Sequence, residues 1–133
     1  MRIRPLHKFE DERGFLFEAF RAIDHDVKMA YIVSTKAGYG RDIDRWHVHH
    51  NKEETFIAIC GIMKLAVREL DGNIAVFDLD WSDPVAVTVE RGEGHSLYNA
   101  SNERAAVLVL CDNYYDPGDE GRERADDIWL MAK

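Results

Sequence analysis

Apolar runs of four to eight residues recur along the chain, each closed by a turn signal, and this rhythm predicts strands rather than helices. Ala30–Ser34 reads as a strand, followed by a Gly- and Asp-containing loop over Lys36–Asp44. Further strands are expected at Arg45–His49, Thr55–Cys60, Ile62–Leu70, Ile74–Leu79, Val85–Val89, Ser96–Asn99 and Ala105–Cys111. Asp71-Gly72-Asn73 is a hairpin signal between two of them, and Trp81–Pro84 is a second turn. Within Val85–Val89 the valines alternate with Ala86 and Thr88, the pattern of a strand buried on one face. Ala105–Leu110 is apolar throughout, the pattern of a central strand covered on both faces. A strand around Ile3–Phe9 is a candidate for pairing across a homodimer, which would hide a sheet edge. Only Ala22–Val27 and Ala125–Met131 suggest short helices. Many short strands with turns between them indicate an all-β sandwich or barrel.

Length and composition narrow the picture. The 133 residues fit one domain, 1–133, and no repeat, linker or low-complexity stretch divides it. A net charge of −8 with no Lys/Arg block argues against a nucleic-acid partner. The acidic residues between Asp112 and Asp127 read as a solvated surface. No run of about eighteen apolar residues is present, so no membrane-spanning helix is expected. The first residues lack the apolar core of a signal peptide, and a cytoplasmic location is expected. Cys60 and Cys111 each end an apolar run, and two buried free thiols are expected rather than a disulfide.

The chemistry is concentrated in Trp46–Gly61. His47 and His49 are one residue apart, so on a strand both imidazoles point the same way. Glu54 can face the same space after an intervening bend, and His95 supplies a further imidazole about thirty-four residues beyond Gly61. Such a set suits one divalent metal, with Fe, Mn, Ni and Zn all compatible, or an acid–base site. A hydrogen-bonded polar cluster lining a pocket remains a third reading. His50 should face away from this space. His7 and His25 read as surface residues, and Trp46 and Phe56 as core or sheet-face residues.

The spacing His47-x-His49, Glu54, Gly61 resembles the first motif of the cupin family, and Gly92, His95 and Asn99 resemble the second, with Glu90 where the family has proline. The resemblance implies an all-β cupin barrel (a jelly roll, or double-stranded β-helix) with short peripheral helices. It also implies that His47, His49, Glu54 and His95 are metal ligands. Asp11–Phe20 and Cys111–Glu120 are similar to segments of the dTDP-4-dehydrorhamnose 3,5-epimerases and the dTDP-4-keto-6-deoxyglucose 3,4-ketoisomerases, and Arg124–Asp127 resembles an acidic pair of the epimerases. That resemblance implies an isomerase that moves a proton beside the keto group of a nucleotide sugar. His47 would be the base, Asp127 the carboxylate that orients it, and Tyr115 the acid. Arg13 would grip the diphosphate. Asp44 holds the position of a second family arginine, with Arg45 one residue nearer the histidine as its substitute and Arg41 as the other candidate. The epimerases need no metal, so a metal-dependent cupin enzyme on another small molecule and a non-catalytic binding module stay open.

Overall fold

The structure is a computed structural model that describes residues 1–23, 26–41, 43–125 and 128–129. Two antiparallel sheets face each other. The first has the order β1-β10-β7-β12-β4, built from β1 (Arg2–Pro5), β4 (Met29–Thr35), β7 (Glu54–Cys60), β10 (Val85–Val89) and β12 (Ala105–Cys111). The second has the order β13-β6-β11-β8-β9, from β6 (Arg45–Val48), β8 (Ile62–Arg68), β9 (Ile74–Asp80), β11 (Gly94–Tyr98) and β13 (Gly121–Arg124). Short β5 (Gly40–Arg41) also pairs with β11. A hairpin of β2 (Lys8–Asp11) and β3 (Gly14–Phe17) stands outside both sheets. This is the jelly-roll sandwich of the cupins, as the family resemblance implied.

The core lies between the sheets, where Phe56, Met63, Leu65, Leu79, Val107 and Val109 are fully buried. A second apolar layer explains the strand burial. Ile57, Ala86 and Leu110 point out of the first sheet and pack with Leu6 and Phe17, delivered by the N-terminal segment and its hairpin. Val85–Val89 is therefore buried on both faces, not on one as its alternation suggested. Ala105–Cys111 lies between β7 and β4, as its unbroken apolar run required. On the far face of the second sheet, Ile128 and Trp129 cover Trp46, Val48 and Ala66.

Three expectations need correction. The segment Ile3–Phe9 is not one strand: it divides into β1, at the edge of the first sheet beside β10, and the start of β2, which pairs with β3. Among the described residues the only helical turn is the 3-10 turn Pro117–Asp119; Ala22 and Ile23 form a turn, and most of Ala125–Met131 lies outside the described residues. Cys60, the last residue of β7, is exposed, while Cys111 is buried; both are free thiols. The following Gly61 has φ +67°, and a Cβ on it would stand 2.8 Å from the Arg104 carbonyl oxygen. Only glycine turns the chain from β7 into β8 so tightly.

Candidate functional site

The register of β6 and β11 makes the site. His47 and His95 are direct cross-strand neighbours, so their rings stand side by side, 5.2 Å between centroids. His49 lies just past the end of β6 and is buried, its ring centroid 4.4 Å from that of His47. One nitrogen from each of the three rings lies within 4.8 Å of the others. From the opposing sheet, the first residue of β7 contributes Glu54, which is 1% exposed. Its Oε1 stands 2.8 Å from His49 Nε2 and 3.6 Å from His95 Nε2. Its Oε2 accepts from the Tyr31 hydroxyl at 2.5 Å and from the Cys111 thiol at 3.5 Å.

A clasp from the C-terminal side completes the cluster. The buried Asp119 carboxylate accepts the backbone N–H of His50 at 2.7 Å and of Asn51 at 2.9 Å. Its carbonyl accepts from His49 Nδ1 at 3.1 Å, which fixes the proton on that nitrogen. The next residue, Glu120, thereby lays its carboxylate against His47 Nε2. Burial raises the proton affinity of Asp119, but the two amide donors outweigh it and hold the carboxyl below its ordinary range. Burial likewise works against charge on Glu54. The hydrogen bond from His49, the charges of His95 and His49, and the Tyr31 hydroxyl overcome it, so Glu54 is a carboxylate well below its usual range. For His49, burial lowers the value and the Glu54 carboxylate more than restores it. Tyr31 is pushed up by burial and by the Glu54 charge, so it stays a neutral donor.

His47 and His95 open on a cavity of about 280 Å³ walled by Ile32, Val33, Phe56 and Leu97, with Tyr31, Ser34 and Arg41 as its further polar groups. An apolar pocket with a few convergent polar groups is the usual form of a small-molecule site.

Over residues 9–122 the sequence matches the polysaccharide biosynthesis C-terminal domain. The chain belongs to that family. No curated protein matches it in sequence. Among solved structures, the dTDP-4-dehydrorhamnose 3,5-epimerase of Elizabethkingia anophelis is 23% identical with a TM-score of 0.74, over 90% of this chain and 72% of that one. QdtA, a sugar 3,4-ketoisomerase from Thermoanaerobacterium thermosaccharolyticum solved with TDP, is 19% identical with a TM-score of 0.74, over 98% and 92%. The capsular polysaccharide assembling protein CapF of Staphylococcus aureus is 19% identical with a TM-score of 0.64, over 92% of this chain but 33% of that one, so the chain spans about a third of CapF. These likenesses show a common cupin fold.

Within this family member, the structure brings together His47, His49, Glu54 and His95, while Tyr115, Arg13 and Arg45 are not members of that cluster. Tyr115 is 63% exposed in the segment after β12. Arg13 tops the β2–β3 hairpin, 84% exposed in its side chain, with its guanidinium on Asp11. Arg45 shares the half-buried face of β6 with His47 but spends its fork on Asp44, at 2.8 and 3.0 Å, and does not line the cavity. Asp127 lies outside the described residues. Two functional groups escaped the sequence reading, Tyr31 and Glu120. Alternation along β4 places Tyr31 inward with Met29 and Val33, a usable signal. Nothing local distinguishes Glu120 from the other acids between Asp112 and Asp127.

The donor set fits a single first-row divalent ion: three imidazole nitrogens within reach of one another, one carboxylate oxygen beside two of them, and His49 tautomerised by a backbone carbonyl. His47, His49, His95 and Glu54 are the residues that could hold it.

Proposed function

We propose that this chain moves a proton beside the keto group of a nucleotide-activated sugar, as an epimerase or ketoisomerase. The observation that carries the reading is the His47–Glu120 pair at the wall of the cavity: a partly exposed imidazole held by a carboxylate, facing a pocket of small-molecule size. A hydrogen beside a ketone is acidic because its loss gives an enolate. Removing it needs a base of near-neutral proton affinity, positioned within hydrogen-bond reach. His47 supplies the base. Glu120 holds the ring in one orientation and stabilises the imidazolium that forms. The proton returns to another carbon or another face of the same enolate. Glu120, not Asp127, is the orienting carboxylate in this reading, and His95 and Arg41 are the neighbouring groups able to face the enolate oxygen.

The histidine cluster also favours a second reading. A divalent ion bound there would supply Lewis-acid stabilisation of the enolate oxygen. His47 would then serve as ligand, and base work would fall to a carboxylate, with Glu120 at hand.

The deciding experiment incubates dTDP-4-keto-6-deoxyglucose with the protein in D₂O and follows deuterium entry beside the carbonyl by NMR, with and without chelator. Exchange that survives chelation and falls on the order of 100-fold or more in His47→Asn supports the metal-free reading. Exchange abolished by chelation supports the metal reading. Absence of exchange under both conditions, metal-loaded included, refutes the proposed chemistry.

A further inference from the structure

A second cavity, about 290 Å³, adjoins the first and shares Ser34 and Arg41 with it. Lys36 and Arg104 bring its cations to three, and Tyr39, 67% exposed, stands among them. No carboxylate lines it among the described residues. That is notable in a chain of net charge −8, in which Arg2, Arg13, Arg45, Arg68 and Arg91 all sit on carboxylates. Arg41 and Arg104 instead both converge on Ser34, Arg41 donating to its carbonyl at 3.1 Å and Arg104 to its hydroxyl at 3.0 Å. Each guanidinium has five N–H donors in a planar fork, so one such bond fixes the group and leaves most of its donors for another acceptor.

The cations are held in place rather than scattered on a loose loop. Asn99, fully buried, donates its side-chain amide to the carbonyls of Thr35 at 3.0 Å and Glu103 at 2.7 Å. Its backbone exchanges bonds with Gly38 and Tyr39 at 2.8 and 2.9 Å. One residue thus pins the strand end before Lys36, the loop that carries Tyr39, and the turn before Arg104. The Thr35 hydroxyl in the cavity lining is buried with no hydrogen-bond partner among the described residues. A buried hydroxyl left so is an acceptor and donor that a ligand can satisfy.

We infer that this cavity is the subsite for the nucleoside diphosphate of the substrate, with the diphosphate on Arg41, Arg104 and Lys36 and the base against Tyr39. The inference rests on the nucleotide-sugar reading above and gives it a layout. The histidine cavity takes the sugar, and Arg41, common to both, lies at the glycosidic phosphate. Bidentate guanidinium–phosphate pairing and aromatic stacking are the interactions these side chains form best. The anion-binding arginines are then Arg41 and Arg104, while Arg13 and Arg45, each committed to an aspartate, stay out of the site.

Calorimetric titration tests this with thymidine diphosphate, uridine diphosphate, inorganic pyrophosphate and thymidine as probes, at low and high salt. The proteins are the wild type, Arg104→Gln, Lys36→Gln, Tyr39→Ala and, for contrast, Arg13→Gln, each with its melting temperature recorded. The wild type should bind a nucleoside diphosphate more tightly than pyrophosphate, and Tyr39→Ala should erase that difference. Arg104→Gln should weaken nucleoside diphosphate binding by about tenfold or more, the loss of one charge-assisted hydrogen bond, with Arg13→Gln within about twofold of wild type. Arg104→Gln and Lys36→Gln both within about twofold of wild type, or no nucleoside diphosphate binding at all, would overturn the inference. Pyrophosphate binding equal to nucleoside diphosphate binding and indifferent to Tyr39 would also overturn it, leaving a general anion site. Deuterium exchange scores the proposed chemistry separately. Exchange without Arg104-dependent binding sinks the subsite alone, and Arg104-dependent binding without exchange sinks the chemistry alone.

Discussion

Replacing Glu54 by glutamine probes the deepest part of the site. Glu54 is almost wholly buried, ionised, and shared between His49 on one oxygen and Tyr31 on the other. Glutamine keeps the volume and an acceptor for Tyr31, and its amide can donate to a neutral His49. What it loses is the charge. A hydrogen bond to a charged group contributes about 1.5–3 kcal/mol, so the expected loss is about 2–3 kcal/mol. Glu54→Ala, which strands the Tyr31 donor and the His49 charge, should cost about 3–5 kcal/mol. For a domain of this length 2–3 kcal/mol is roughly 6–15 °C in Tm. The pH dependence carries the specific signature. Native His49 holds its proton more tightly than the ordinary value of 6.5, so its share of the stabilisation is complete below that value and fades as pH climbs through the native one. Native Glu54 holds its proton less tightly than the ordinary 4.5, so its share is complete above 4.5 and fades as pH falls towards the native value. The gap between wild type and Glu54→Gln should therefore be widest near pH 6 and narrow towards pH 9. Urea unfolding in chelator at both pH values measures it. A Glu54→Gln protein within about 0.5 kcal/mol of wild type at pH 6, or a gap that does not change with pH, would refute the ion-pair description.

Other outcomes follow from the same geometry. Protein loaded with Fe, Mn, Ni or Zn should carry about one ion per chain by elemental analysis, and His95→Ala should lose it; an unloaded wild type after every metal would exclude a metal centre. Cys60 should react with a thiol reagent in the native protein, whereas Cys111, fully buried and pushed up to about 12 by burial and by the Glu54 charge, should react only after unfolding. Two fast thiols would contradict that placement. Gly61→Ala should cost about 1–3 kcal/mol, since it adds a Cβ contact of 2.8 Å to an unfavourable φ. Gly72→Ala, with φ +91° but open space around it, should cost less in the same urea titration.

How much of this was legible beforehand depended on whether the signal was local. Ala105–Cys111 and Val85–Val89 form strands over the expected residues, because the apolar run and the alternation are intrinsic to each segment. The second burial of β10 was invisible, since it depends on Leu6 and Phe17 folding back over the outer face from far along the chain. His47, His49, Glu54 and His95 could be paired on paper because period-two spacing and strand register set them. Glu120 could not. Its place is fixed by the Asp119 carboxylate on the amides of residues 50 and 51, nearly seventy positions earlier. Arg13 shows the same limit: it has the family's local motif, while in the fold its guanidinium lies on the neighbouring Asp11.

The Asp119 clasp also sets an order of events. His47, Glu54 and His95 ride on strands of the sandwich, whereas Glu120 lies between a short turn, held by two amide bonds and the His49 proton, and the first residue of β13, which pairs with β6. β13 is the edge strand of its sheet, so local opening of the turn together with β13 would release His47 from Glu120 while the core between the sheets stayed intact. Competence would then be gained last in folding and lost first on warming, well ahead of any change in the bulk of the sheet.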